Sequence, residues 1–447
     1  MSVTNPATSA LRDERLPELE TLLAAGIPEP LKAAMAASRV TVEAAEAVQV
    51  THWPGRSVTV RYKAELAGPG VQGSHQLVAI GGKVPDGAAV VASGSHRIGI
   101  WRVPFDPFLP GLSAALNPPA AAALMAQLGV QGDGWATRLV AYRPGKRAVV
   151  HVAGAAGQVA GTVSQIAGSV GTGSVYLKLL PTDQIERLHV EHRKIARELP
   201  IPQSLGVSHE LGLVALQTLP GMTLREALVK GLEAPLPEAV LSLPAALPDP
   251  PFGQLVASPI QRAASVAGIL GFLLPERSQQ VASIIDRIGQ ESGEASVPVH
   301  GDFYESQVLV DGGRIVGMLD IDTFGWGRPA DDPATLLGHL AVLDQSKPST
   351  SVRSFASRLV QLCDRNLDPI DLRMRVAAVV LGLATGPFRV QRANWPEMTR
   401  ARLDLAGRWC ASAARVAGTR DPGSGVSGDE RTLISVSGPS HGAQSSF

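Results

Sequence analysis

The most constraining stretch of the 447-residue chain runs from Val297 to Leu340, VPVHGDFYESQVLVDGGRIVGMLDIDTFGWGRPADDPATLLGHL. Two β-branched runs, Val308 to Val310 and Ile315 to Leu319, flank Asp311-Gly312-Gly313, which is the turn chemistry of a β-hairpin. A hairpin brings the residues before its first strand close to those after its second. Asp302 and Gln307 precede the first strand, and Asp320 and Asp322 follow the second. Oxygen donors converging at such a place suit Mg2+, shared with phosphate oxygens. A carboxylate not spent on metal can orient a hydroxyl nucleophile or accept its proton. The competing reading is that these aspartates are turn and cap residues.

Elsewhere the pattern changes along the chain. From Glu18 to about Val48 the sequence is alanine-rich and helix-permissive. From Val48 to Val103, short β-branched runs separated by glycine turns predict a small, mostly antiparallel sheet. Asn117-Pro118-Pro119 reads as a helix start. Strand character returns in ATRLVAY, RAVVHVAGA and SVYLKLL, ending near Leu180. Asp183 to Leu199 has helical spacing, Leu213 to Leu219 reads as a buried strand, and Thr223 with Glu226 fits a capping box. Residues 333–415 are helical in pattern, and the glycine- and serine-rich tail from Gly418 reads as disordered. Pro54-Gly55-Arg56 and Pro144-Gly145-Lys146 each open a strand-like run, 90 residues apart. They are either a duplicated β-unit or two unrelated hairpins with Pro-Gly turns.

This order predicts an α+β fold with a β-rich small lobe, a mainly helical large lobe and a linker near Leu219 to Met222. The expected division is 1–130 as an N-terminal α+β domain, 131–219 as the small lobe, 220–415 as the helical lobe and 416–447 as the tail. Forty Lys and Arg balance forty Asp and Glu, which removes whole-chain attraction to nucleic acid or an anionic membrane. The first residues lack a signal-peptide core, and VAAVVLGLA at Val376 to Ala384 is half of the ~18 residues that span a bilayer. Cys363 and Cys410 have no metal-like spacing and cannot form a disulfide framework. A soluble cytoplasmic protein with no nucleic-acid or membrane partner is the expectation.

Two further charges stand out. Lys178 lies inside the apolar run Val175-Tyr176-Leu177-Lys178-Leu179-Leu180. A lysine there costs several kcal/mol unless it is paired or faces a polar cleft, the alternative being an edge lysine reaching solvent. Glu191 falls on the apolar face of the following helix, where Lys178 is its obvious partner if it is not exposed.

His300-Gly301-Asp302, Leu319-Asp320-Ile321 and Gly327-Arg328-Pro329-Ala330-Asp331-Asp332-Pro333 together resemble the core of the aminoglycoside phosphotransferase and choline kinase-like small-molecule kinases, a branch of the protein-kinase-like fold. The resemblance spans roughly Thr137 to Arg415. It implies a bilobal fold and transfer of the ATP γ-phosphate, with Mg2+, to a hydroxyl of a small molecule such as a sugar, amino alcohol or aminoglycoside. It implies that Asp302 is the catalytic base, with His300 beside it, and that Asp320 is the main metal ligand, aided by Gln307 and Asp322. Lys178 would position phosphate and Glu191 would hold Lys178. The strand from Leu213, with Ala215 and Gln217, would border adenine through backbone groups.

Three departures accompany the resemblance. The asparagine position of the family is Gln307. No Gly-x-Gly-x-x-Gly loop precedes Lys178; the nearest turn offers Arg143, Lys146 and Arg147, which either contact phosphate or form a solvated charge run, and the glycines at 168, 171 and 173 suit a flexible hairpin. The first ~130 residues exceed the minimal two-lobed fold and would be an extra domain, possibly a degenerate small lobe. The first two motivate the alternative of a catalytically weak or inactive kinase-like nucleotide- or small-molecule-binding protein. Trp326, Phe388, Arg389 and Trp395 are candidates to line an acceptor pocket.

Overall fold

The computed structural model describes residues 6–94, 96–154, 173–251, 253–291 and 293–419. The glycines at 168 and 171 and the tail beyond 419 lie outside them. The fold is α+β and bilobal. Its β-rich part contains two antiparallel sheets. The first is built from β1 (Thr41–Trp53), β2 (Ser57–Gly68), β3 (Val71–Gly81), β4 (Ala89–Ser93) and β5 (His96–Arg102), in the order β1-β2-β3-β5-β4. The second comprises β6 (Ala136–Arg143), β7 (Arg147–Ala153), β8 (Ser174–Leu179), β9 (Ser204–Ser208) and β10 (Leu213–Gln217), in the order β6-β7-β8-β10-β9.

The strand order is the same in both sheets, and the Pro-Gly turns at 54 and 144 both close the first hairpin. Gly55 and Gly145 have φ of 68° and 69°, the left-handed region that glycine enters without a Cβ penalty. The sheets differ in what joins their third and fourth strands. Between β3 and β4 this is a short loop, whereas between β8 and β9 it is the helix Thr182–Ile195.

The strand β1 begins at Thr41, inside the segment whose alanines and glutamates read as helix-permissive. Helices in that region are confined to Glu18–Leu22 and Glu29–Ala36. Pairing with β2 overrides local propensity: Val42, Ala45, Val50 and His52 are buried, and register shifts between Val42 and Ala44 and between Ala47 and Gln49 keep the burial consistent.

The helical lobe packs Asp331–Ser346, Thr350–Asn366, Pro369–Leu383 and Trp395–Thr419 around a common apolar core. It is entered through β11 (Met222–Thr223) and a helix, Leu224–Lys230, whose capping box of Thr223 and Glu226 is formed. β12 (Val297–Val299) pairs with β15 (Gly325–Gly327), and β13 (Val308–Asp311) pairs with β14 (Arg314–Met318) across the Gly312-Gly313 turn. The sequence-predicted hairpin is therefore present, and β11 adds to it as a third strand.

The N-terminal region touches both lobes. Val78 and Trp101 share an apolar cluster with Tyr142, Val150 and Leu177 of the second sheet. His52, held by Asp13 at 2.9 Å, packs against Phe272 of the helical lobe with ring centroids 4.5 Å apart. Trp395 donates its indole N–H to Thr8 Oγ1 at 3.0 Å, and Thr8 donates to Gln391 at 3.0 Å. Phe388 and Trp395 are buried edge-to-face against each other, so they are core residues and do not line an acceptor pocket.

Trp395→Ala should cost about 3–5 kcal/mol of unfolding free energy from cavity formation, and Thr8→Val about 1–3 kcal/mol by leaving the indole N–H unpaired. Denaturant unfolding followed by tryptophan fluorescence and circular dichroism measures both. Unchanged midpoints would show that the terminal segment contributes nothing to the helical lobe.

Candidate active site

Lys178 sits on β8 between Val149 of β7 and Val214 of β10 in the ladder. Side chains alternate across a strand, so the lysine shares its face with Tyr176 and Leu180, over the cluster of Ile185, Leu188 and Val214. It is only 6% exposed. Its ammonium donates to Asp320 Oδ1 at 2.6 Å and to Asp322 Oδ1. The apolar floor leaves the lysine one polar exit, toward the two aspartates that follow the hairpin.

The aspartates are placed by the hairpin and by backbone strain. Leu319 N–H donates to Gln307 O at 2.8 Å, closing the hairpin base. Asp320 then adopts φ 62°, ψ 52°, a left-handed conformation uncommon for a non-glycine residue and frequent at functional positions. Arg147, the first residue of β7 after its Pro-Gly turn, reaches Asp320 Oδ2 and Asp322 Oδ2 at 3.6 Å each. Burial opposes ionisation of Asp320, but Lys178 and Arg147 overcome it and hold the carboxyl well below the ordinary carboxylate range. For Asp322, burial and the neighbouring Asp320 charge outweigh Lys178, and its pKa is raised.

Asp302 follows β12 in a loop that tolerates little change. Gly301 has φ 82°, and a Cβ there would lie 2.8 Å from both Thr323 O and Val256 Cγ1. Asp332 accepts from the backbone N–H groups of His300 and Gly301 at 2.7 and 2.9 Å. His300 is fully buried. Its Nε2–H donates to Leu319 O at 2.8 Å, which ties the Asp302 loop to the strand leading into Asp320. Asp302 itself is half-buried, and burial followed by the Asp320 charge raises its pKa, against the pull of His300, Arg262 and Arg147.

The structure does not place Glu191 on Lys178. Glu191 accepts from Arg187 at 3.0 Å and from Gln254 at 3.2 Å. Both partners also reach the segment after Asp320: Arg187 donates to Asp322 O at 3.4 Å and Gln254 to Phe324 O. With Lys178 held by the aspartates, Glu191 braces that segment from the helix. Burial leads the causes that raise its pKa.

Of the three cations in the Arg143-to-Arg147 turn, Arg147 reaches the acids. Arg143 lies near enough to feel Asp302 and Asp320, with burial and then Arg147 and Arg389 lowering its pKa. Lys146 is exposed, with its backbone N–H closing the turn onto Arg143 O at 3.0 Å. Ala215 lies inside the ladder, paired with Leu177 and Gly206, and Gln217 N–H donates to Gln203 O at 2.9 Å. Backbone groups at these two positions are therefore flanked by strands or already bonded. Trp326 is half-buried in β15 and Arg389 is exposed.

Several residues that shape the site escaped the sequence. Asp106 accepts from Tyr142 at 2.7 Å and from Gly145 N–H at 2.8 Å, fixing the turn that presents Arg147. Arg375 bonds Asp331 at 2.7 Å and Glu291 at 2.8 Å and buttresses the Asp332 end of the loop from below. Arg262 donates to Gly301 O at 2.8 Å. Only Arg375 carried a signal, as a charge entering the apolar run Val376 to Ala384.

Among the described residues, no group of three or more His, Cys, Asp or Glu is placed to hold a metal ion. Mg2+ needs no such cage: one or two carboxylates suffice when phosphates and waters complete the octahedron. Asp320 and Asp322, both reached by one ammonium, are a donor set of that kind. Gln307 lies alongside, its Nε2 at 3.4 Å from Asp320 Oδ2. No helix among the described residues is long and apolar enough to cross a membrane.

No curated protein matches the chain. Among solved structures, it is similar to the macrolide 2'-phosphotransferase MphH from Brachybacterium faecium, with 20% identity, 64% of this chain and 97% of that chain covered, and a TM-score of 0.38. It is also similar to the aminoglycoside phosphotransferase APH(3'')-Id from Streptomyces rimosus, with 20% identity, 60% and 98% covered, and a TM-score of 0.39. For the aminoglycoside phosphotransferase APH(4)-Ia the values are 14% identity, 65% and 97% covered, and a TM-score of 0.41. Residues 104–350, more than half of the chain, match the model of the phosphotransferase enzyme family, and the chain belongs to that family.

Proposed function

We propose that the protein is a phosphotransferase that moves the γ-phosphate of ATP, with Mg2+, to a hydroxyl group of a small molecule. The observation that carries this reading is the convergence of Lys178 and Arg147 from the small lobe with Asp320 and Asp322 from the large lobe, with Asp302 electrostatically coupled to Asp320. Phosphoryl transfer asks a protein mainly for positioning and for compensation of phosphate charge. Two cations and two acids at one lobe junction supply the parts.

In this reading Asp320, with Asp322 and Gln307, holds the Mg2+, which when bound would neutralise charge on the transferring phosphate. Lys178 and Arg147 exchange part of their pairing with the aspartates for phosphate oxygens. Asp302 orients the acceptor hydroxyl and takes its proton. Its pKa is raised by burial and by the Asp320 charge, and a stronger base accepts a proton more readily. Asp332 and His300 hold the Asp302 loop and the Asp320 strand in register. The competing reading, a kinase-like binding protein without turnover, draws on the engagement of Lys178 with the aspartates in place of Glu191 and on Gln307.

Incubation with Mg2+-ATP and a broad panel of hydroxyl acceptors, read as phosphorylated products by mass, separates the two. Asp302→Ala should abolish transfer while leaving nucleotide binding within a few-fold of the parent. Asp320→Ala should abolish transfer and also weaken Mg2+-dependent nucleotide binding by about tenfold or more, the loss of one charge-assisted contact. Normal transfer in both variants rejects the site; nucleotide binding with no transfer to any acceptor supports the binding protein.

The pH profile is a second check. A base must be ionised, so kcat/KM should fall at low pH through the Asp302 pKa, at a midpoint above the ordinary 3.8. Arg262 favours the carboxylate, so Arg262→Gln should move that acid limb to higher pH. A limb at or below 3.8, or a shift to lower pH in the variant, would remove Asp302 as the base.

A further inference from the structure

A cleft of about 610 Å3 lies away from the site just described, where the outer face of the first sheet meets the second. One wall is Arg61 and Lys63 on β2 with Ser74, His75 and Gln76 on β3, and no carboxylate lines it among the described residues. The facing wall is apolar and includes Val103, Leu116 and Leu139. Its volume falls within the range of small-molecule sites, as does its make-up, an apolar surface with a few convergent polar groups.

The state of Arg61 sets this cleft apart from an ordinary surface groove. Its Nε is buried and has no hydrogen-bond partner. Nη1 is 3.5 Å from Gln76 Oε1, at the outer limit of a hydrogen bond, and the guanidinium carbon stands 6.0 Å from the Tyr142 ring centre. Among the described residues no carboxylate is among the groups acting on its charge, and burial lowers its pKa; an anion meeting the guanidinium from the cleft would favour the charged form. Lys63 is exposed on the same strand face two residues on, so two cations stand along one wall of the cleft.

We propose that this cleft binds a small organic anion, a carboxylate or phosphate ester on a compact apolar body, with Arg61 and Lys63 holding the charge and Leu116 and Leu139 covering the body. Arginine's planar fork of donors suits either oxyanion. The cleft is also wired to the candidate active site. Tyr142, beneath Arg61, receives the Trp101 indole N–H at 3.0 Å and donates to Asp106 at 2.7 Å. Asp106 takes the Gly145 N–H at 2.8 Å, in the turn whose Arg147 reaches Asp320 and Asp322. A ligand that draws Arg61 toward itself acts on the Tyr142 ring and so on the turn. Binding at the cleft does not depend on the phosphotransferase reading, and its test uses no turnover.

The test is calorimetric titration of the full chain with benzoate, phenyl phosphate and, as the uncharged control, benzyl alcohol. The expected result is saturable one-to-one binding of at least one anion and none of benzyl alcohol. Whether benzoate or phenyl phosphate binds more tightly tells a carboxylate from a phosphate ligand. Arg61→Gln and Lys63→Gln should each weaken the anion by about tenfold or more, and Lys178→Met should leave it unchanged. Circular dichroism confirms that each variant is folded; if Arg61→Gln is not, the exposed Lys63→Gln alone decides. No saturable binding of either anion, parental affinity in the folded cleft variants, or loss of binding in Lys178→Met each overturns the proposal, the last by placing the anion at the lobe junction.

Discussion

One ammonium group joins the two lobes. Lys178 stands on a strand whose neighbours are aliphatic, and it has nowhere to place its charge except across the cleft, on Asp320 and Asp322. The two partners lie 142 and 144 residues further along the chain. A buried lysine with one carboxylate would bring a desolvation cost that a single pair seldom recovers. Here a second acid and a second cation, Arg147, make a four-membered charge cluster in which each member has more than one partner. Removing one partner would strand the others, so the arrangement specifies lobe register strongly even if its net contribution to stability is small.

What surrounds the cluster follows from that demand. Asp320 faces Lys178 from the left-handed region, and the hairpin base and the His300 link to Leu319 O hold it there. The loop bearing Asp302 is held in turn by Asp332, whose carboxylate takes two consecutive backbone N–H groups, and by Arg375 acting through Asp331. Glu191 is then free of Lys178 and serves the other side, gathering Arg187 and Gln254 against the Asp322-to-Phe324 segment. The strain sits at Asp320, and the hydrogen bonds that over-determine it lie one layer further out.

The parts of this that could be read in the sequence were those encoded by short-range signals. The Asp311-Gly312-Gly313 turn between β-branched runs announced the hairpin, and the hairpin announced the meeting of Gln307 with Asp320. A lysine among aliphatic residues announced a buried charge, but not its partner: helix periodicity put Glu191 on the right face, and only the three-dimensional path of the chain decides that Asp320 and Asp322 are nearer. Residues 41–47 were misread because alanine and glutamate favour helix locally, while β2 supplies the ladder that makes them a strand. Asp106 was invisible, since nothing in a lone aspartate after a strand says that it will cap a turn 39 residues later.

The region ahead of the family match has a role that follows from what it touches. Its sheet repeats the strand order of the second sheet, with the Pro-Gly turn in the same hairpin, yet the position corresponding to Lys178 in the ladder is Ile80, across from Thr59 as Lys178 is across from Val149. It lacks the lysine, and it has a short loop where the second sheet has the helix that carries Glu191. A unit without those parts cannot take the role proposed for Lys178. What it supplies is contact: Trp101 and Val78 to the small lobe, His52 and Thr8 to the helical lobe. A body packed on both lobes at once resists their relative rotation, since any opening of the cleft has to slide one of those contacts. The lobe junction is therefore fixed from two sides, by the Lys178 cluster within the cleft and by the first sheet outside it.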